Sequence, residues 1–122
     1  MAKYRLSPLA ERDLEAIVAW SREHFGEQGR LRYEALIVHA ILDLAADSRR
    51  LGCRSRPELA EGALTHHLLN SRDHVPKAQG RVRKPRHFPL ARPTADGYLE
   101  IGRVLHDSMD LARHPPDEYR PQ

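Results

Sequence analysis

The chain of 122 residues has one cysteine, Cys53, so it can form no intramolecular disulfide and build no metal site from thiolates alone. Phe, Trp and Tyr make up only 6%, and Phe88 is the one such residue between residues 49 and 93, which leaves little to stack on nucleic-acid bases. No stretch approaches the roughly 18 consecutive apolar residues of a membrane span. Residues 1–6 are too short and polar for a secretory signal, so the chain reads as cytoplasmic. Sequence patterns that build catalytic centres are missing as well. There is no His-Glu-x-x-His or Cys-x-x-Cys, and His66-His67 on a strand would point to opposite faces, so no metal is expected despite eight histidines. Without a Gly-x-Ser-x-Gly elbow or a phosphate-cradling glycine loop, a serine triad and a nucleotide cofactor are not expected either.

What is present is charge of one sign in one place. The net charge of +3 divides into −2 for residues 1–48, +8 for residues 49–93 and −3 for residues 94–122. Such a centre attracts polyanions or an acidic protein surface, and charge alone leaves a merely solvated basic loop equally open.

Hydrophobic spacing supplies the elements. Tyr4-Arg5-Leu6 is a short alternating segment, followed by Ser7-Pro8, a capping hydroxyl and a proline suited to the first helical position. Ala10, Leu14, Ile17, Val18 and Phe25 then recur near a 3.6-residue period up to Gly26. A second helix is predicted over residues 28–47, with Tyr33, Ile37, Ala40, Ile41 and Leu44 as its stripe. Two helices joined by so short a turn should pack antiparallel. Leu31, Val38, Leu42 and Ala45 add a second apolar strip, leaving a narrow polar line of Arg32, His39, Asp43 and Asp47. The first helix or a partner chain must cover that strip.

Strands are predicted at 63–69, 87–92 and 98–105, with Asp96-Gly97 turning the last two into a hairpin. Pro89 and Pro93 weaken the middle strand or mark a bulge. Residues 71–85 read as a long basic loop. The candidate functional set is cationic and imidazole-bearing: Arg86, His87, Arg92, Arg103, His106 and Arg113. Arg103 shares parity with Ile101 and Leu105, and either binds a ligand or forms an ion pair with Asp107 or Asp110.

The opening Tyr4-Arg5-Leu6-Ser7-Pro8-Leu9-Ala10-Glu11-Arg12-Asp13-Leu14-Glu15-Ala16-Ile17 and the closing Glu100-Ile101-Gly102-Arg103-Val104-Leu105-His106-Asp107-Ser108-Met109-Asp110-Leu111-Ala112-Arg113-His114 together resemble the ParE branch of the RelE/ParE toxin superfamily. The resemblance implies an α+β fold: an N-terminal strand, then an antiparallel two-helix hairpin packed on a small antiparallel sheet. It implies one domain over residues 1–114, with 71–85 as an inserted loop and 115–122 as a proline-rich tail. It further implies the toxin of a toxin–antitoxin pair, which inhibits DNA gyrase by binding, without a cofactor or metal. A ParD-like antitoxin would neutralise it in a hetero-oligomer, and nucleic acid would be met only indirectly. On that resemblance the target side comprises Arg86, His87, Arg92, Arg103, His106 and Met109, and the antitoxin side Leu14, Val18, Leu31, Val38 and Leu42. The alternative is a RelE-like, ribosome-dependent mRNA endonuclease with Arg92, Arg103 and His106 at the scissile phosphate.

Overall fold

The computed structural model describes residues 3–47, 53–76, 78, 80 and 82–108. Met109, Asp110, Arg113 and the tail 115–122 lie outside them, as do Arg49, Arg50, Lys77 and Arg81 of the basic centre. The order is β1 (Tyr4–Leu6), α1 (Pro8–Ala46), β2 (Cys53–Ser55), β3 (Leu64–His66), a 3-10 helix (Leu68–His74), β4 (His87–Pro93) and β5 (Leu99–His106). The strands form a single five-stranded sheet in the order β1-β5-β4-β3-β2. The fold is α+β, with a helical layer against one face of a mixed sheet.

Ser7 starts α1 as expected. Its hydroxyl accepts from the Ala10 amide at 3.0 Å and donates to the Gly102 carbonyl at 2.7 Å, while its own amide donates to the Ile101 carbonyl. One residue thus caps the helix and pins it to β5. Instead of two helices separated by a turn, α1 is one element of 39 residues with a single non-helical position inside it, Gly26 at φ +75° and ψ −177°. The break is sharp. Trp20 and Tyr33 would lie roughly 20 Å apart along a straight helix, yet their ring centroids are 5.8 Å apart. A connecting turn is unnecessary because glycine alone reaches this backbone region without a Cβ clash.

Tyr33, Ile37, Ala40, Ile41 and Leu44 are all buried, as the stripe predicts, and they join Ala10, Ile17, Leu64, Leu68, Val75, Leu99, Ile101 and Val104 in one core. Phe25 departs from the expected stripe. It stands exposed just before the break, edge-on to Trp20. Asp43 departs from the expected solvated line: it is half-buried and bonded to Ser71 and His74.

The sheet corrects the expectation of purely antiparallel pairing, because β1 runs parallel to β5, with Tyr4 opposite Leu99 and Leu6 opposite Ile101. It also contains β2, a short polar strand with no apolar alternation to reveal it. The Asp96-Gly97 hairpin forms as read, with Gly97 at φ +85°. Pro89 sits inside β4, a central strand. Asp107 donates its amide to the Arg86 carbonyl, so by alternation Phe88 and Leu90 direct their amides at β5 while Pro89 faces β3. The missing donor falls just beyond the last β3–β4 pair, Thr65 with Leu90, where the ladder ends. The irregularity lies on the other strand: Leu90 pairs with Arg103 and Ala91 with Ile101, so Gly102 is the bulged residue. Arg103 therefore shares parity with Leu105 but not, as expected, with Ile101.

Residues 71–85 are not a free loop either. They open within the 3-10 helix, and Ser71, Val75 and Pro85 are buried while Val82 packs on the core.

Candidate functional site

The ends of β4 and β5 bring His87 and His106 directly opposite each other, in the non-hydrogen-bonded pair geometry that sets side chains closest. Their rings meet edge-on with centroids 5.2 Å apart. Two aromatic residues of α1 close over them. Trp20 lies 5.2 Å from the His87 ring and 6.4 Å from that of His106, and Tyr33 lies 5.5 Å from His87.

Hydrogen bonds assign the protons. The Tyr33 hydroxyl accepts from the Arg86 amide at 2.9 Å and donates to His87 Nδ1 at 2.6 Å, so neutral His87 carries its proton on Nε2. Burial, aided by the nearby His106, pushes the His87 pKa down to about 4. Burial also pushes the Tyr33 phenol up to about 12. Both groups are neutral at physiological pH, so His87 contributes shape and a polar ring edge rather than the positive charge of the expected cationic set. The Ser108 amide donates to His106 Nδ1 at 3.1 Å, with the Ser108 hydroxyl 2.7 Å from the same nitrogen, which leaves Nε2 of His106 as the ring donor. A cleft of about 380 Å³ opens beside the pair, lined by Asp13, Ile17, Trp20, His87, His106 and Ser108.

Among the described residues, Arg86, Arg92 and Arg103 each have a carboxylate. Arg86 forks onto Asp107, with Nε–Oδ1 at 3.0 Å and Nη2–Oδ1 at 2.8 Å, and this fork holds the Asp107 carboxyl below its usual range. His67 reaches the same carboxylate at 3.1 Å. Arg103 is ion-paired as one reading had it, but its partner among the described residues is Asp13 of α1, at 2.7 and 2.9 Å. Asp13 Oδ2 also accepts the Val104 amide at 2.9 Å, covering the edge of β5 where β1 has ended. Asp107, the other expected partner, is engaged by Arg86, and Asp110 lies outside the described residues. Arg92 pairs with Glu100 at 3.3 Å near the far end of β4. Five residues of strand separate it from His87, roughly 17 Å, so Arg92 does not join Arg103 and His106 in one cluster. His66 and His67 diverge as predicted, one into the core and the other toward Asp107.

On the helical side, Leu14 and Val18 are half-buried, whereas Leu31, Val38 and Leu42 are 47%, 52% and 43% exposed. The last three lie on one face, and Leu31 and Val38 border a groove of about 450 Å³ that also involves Gln28, Ala35, His39 and Ala78.

Sequence reasoning missed Trp20 and Asp13 as site residues and counted Tyr33 only as core. A lone tryptophan and one acid among many on a helix carry no pattern that marks them. No described helix is long and apolar enough to cross a membrane. No protein-family model matches the chain, and no curated protein shows significant similarity to it.

Proposed function

We propose that this chain acts by holding other macromolecules. More specifically, it is a ParE-like toxin that works in the cytoplasm, inhibits DNA gyrase by binding, and is neutralised in a hetero-oligomer by a ParD-like antitoxin. On this reading the bent helix is that family's antiparallel hairpin, and no cofactor is required.

The observation that carries the reading is the exposed strip of Leu31, Val38 and Leu42. A small chain gains nothing from leaving three large aliphatic side chains in water along one helix face, and an amphipathic partner segment fits them. The target side supports binding over catalysis. Arg92, Arg103 and Arg86 are each engaged by a carboxylate, and Arg92 stands apart from His106, so the endonuclease set does not converge on one phosphate. Arg86 and Asp107 form a surface fork that exchanges one carboxylate for another at little cost, which suits docking of an acidic protein surface. On this reading Arg86, His106 and Met109 meet gyrase.

A purified supercoiling assay tests the proposal. The chain should halt gyrase, and an antitoxin carrying an acidic amphipathic tail should restore activity. Intact supercoiling together with new ribosome-dependent mRNA ends would instead support the RelE-like endonuclease.

A further inference from the structure

At the sheet edge far from β1, a chain of polar side chains crosses from strand to helix. Cys53 on β2 and His66 on β3 are register partners. The Arg56 amide donates to the Ala63 carbonyl at 2.7 Å, so by alternation the Cys53–His66 pair is non-hydrogen-bonded, the arrangement whose side chains approach closest. This is how Cys53 Sγ comes within 3.6 Å of His66 Nδ1.

The bonds beyond the imidazole decide which nitrogen carries its proton. The Asp43 carboxylate only accepts, so Ser71 commits its hydroxyl proton to Asp43 Oδ2 at 2.7 Å. Ser71 Oγ then accepts from His66 Nε2–H at 2.8 Å. His66 Nδ1 is left with its lone pair facing the thiol. His74 donates to the same Asp43 oxygen at 2.8 Å, fixing the carboxylate from its other side. His66 and Ser71 are fully buried, which preserves this alignment from solvent, while Cys53 is half-buried on β2, the outermost strand.

We propose that Cys53 is a nucleophile with His66 as its general base, oriented through Ser71 and Asp43, and that the site takes small electrophiles of the hydroperoxide class. A nucleophile, a base in contact with it and a third group orienting the base are the parts such a site requires. In the reaction the thiol proton passes to His66 Nδ1 and the thiolate attacks the terminal peroxide oxygen. An S–O bond forms as the O–O bond breaks, the sulfur is oxidised to sulfenic acid and the peroxide is reduced, its departing oxygen taking the proton back from His66 to leave as water or alcohol. The inference is independent of the toxin reading.

Because Cys53 is the chain's single cysteine, alkylation read by intact mass reports on this thiol alone. At about pH 6.5 the folded full chain should react with iodoacetamide at least about fivefold faster than the same chain in urea, whose thiol has its ordinary pKa of about 8.5. Ser71→Ala frees the tautomer while leaving the imidazole in place, and should bring the rate most of the way down to the unfolded value. Hydrogen peroxide should yield a dimedone-trapped sulfenic acid on the parent chain and several-fold less on the variant. Should Ser71→Ala fail to fold, the parent chain's pH–rate profile decides alone: a plateau well below the ordinary thiol range supports the site. A folded rate no greater than the unfolded one, a profile that follows an ordinary thiol, or a folded Ser71→Ala chain reacting at the parent rate overturns it.

Discussion

At the scale of single residues, two polar contacts between α1 and the sheet make different demands. His87 titrates at about 4 in the folded chain and at about 6.5 when unfolded. Between those values the unfolded chain holds a proton that the folded chain does not, so acid favours unfolding. The stabilisation is complete above about pH 6.5, declines as pH falls, and is exhausted below about pH 4; between about pH 7 and pH 5 the loss should be about 2 kcal/mol. Urea denaturation at those two pH values checks this, and His87→Gln, which still offers the Tyr33 hydroxyl an acceptor, should flatten the dependence. The second contact is Arg103 with Asp13, whose side chains are 17% and 15% exposed. Asp13→Ala strands a mostly desolvated guanidinium and an edge amide, and should cost about 3 kcal/mol. Adding Arg103→Met should recover part of that, because the stranded charge goes with it; denaturant midpoints of the two variants would show the difference.

At the scale of elements, the bend in α1 depends on one backbone position. Gly26 occupies a conformation essentially closed to other residues, although no neighbouring atom would crowd a Cβ there. Gly26→Ala should therefore cost about 2 kcal/mol through backbone strain alone, lowering the melting temperature by several degrees in calorimetry. Gly26 was legible as the end of a helix, since glycine punctuates an apolar period, but a period does not tell whether a turn follows or the chain simply reverses through one residue. The second stripe, from Tyr33 to Leu44, could be read completely because its burial follows local spacing. Arg103 was misplaced because a bulge at Gly102 shifts parity by one, and nothing in a strand's composition announces the extra residue. The short polar strand β2 was invisible for a related reason: its place depends on pairing with β3, not on its own residues. In the candidate site, His87 and His106 were visible as residue types. Trp20, Tyr33 and Asp13 reach the same place only because the helix folds back over the sheet, which is information held by the whole chain.

At the scale of the molecule, the two candidate surfaces are separable, and that separation yields the sharpest test of the proposed function. Leu31, Val38 and Leu42 face solvent on the helical layer, while Arg86 and His106 sit at the end of the hairpin formed by β4 and β5. Exposed aliphatic side chains contribute little to folding, so the combined variant Leu31→Asp/Val38→Asp/Leu42→Asp should keep its melting temperature within a few degrees. The same changes place three carboxylates where an acidic, amphipathic antitoxin tail would lay its apolar face, adding repulsion to lost contact. Affinity for the antitoxin should fall at least about 100-fold, with calorimetric titration as the measure. Gyrase inhibition by the triple variant should persist and become insensitive to added antitoxin. A variant that stays folded and binds the antitoxin as tightly as the parent chain would place neutralisation elsewhere on the molecule. One that loses gyrase inhibition together with antitoxin binding would show that a single surface serves both partners.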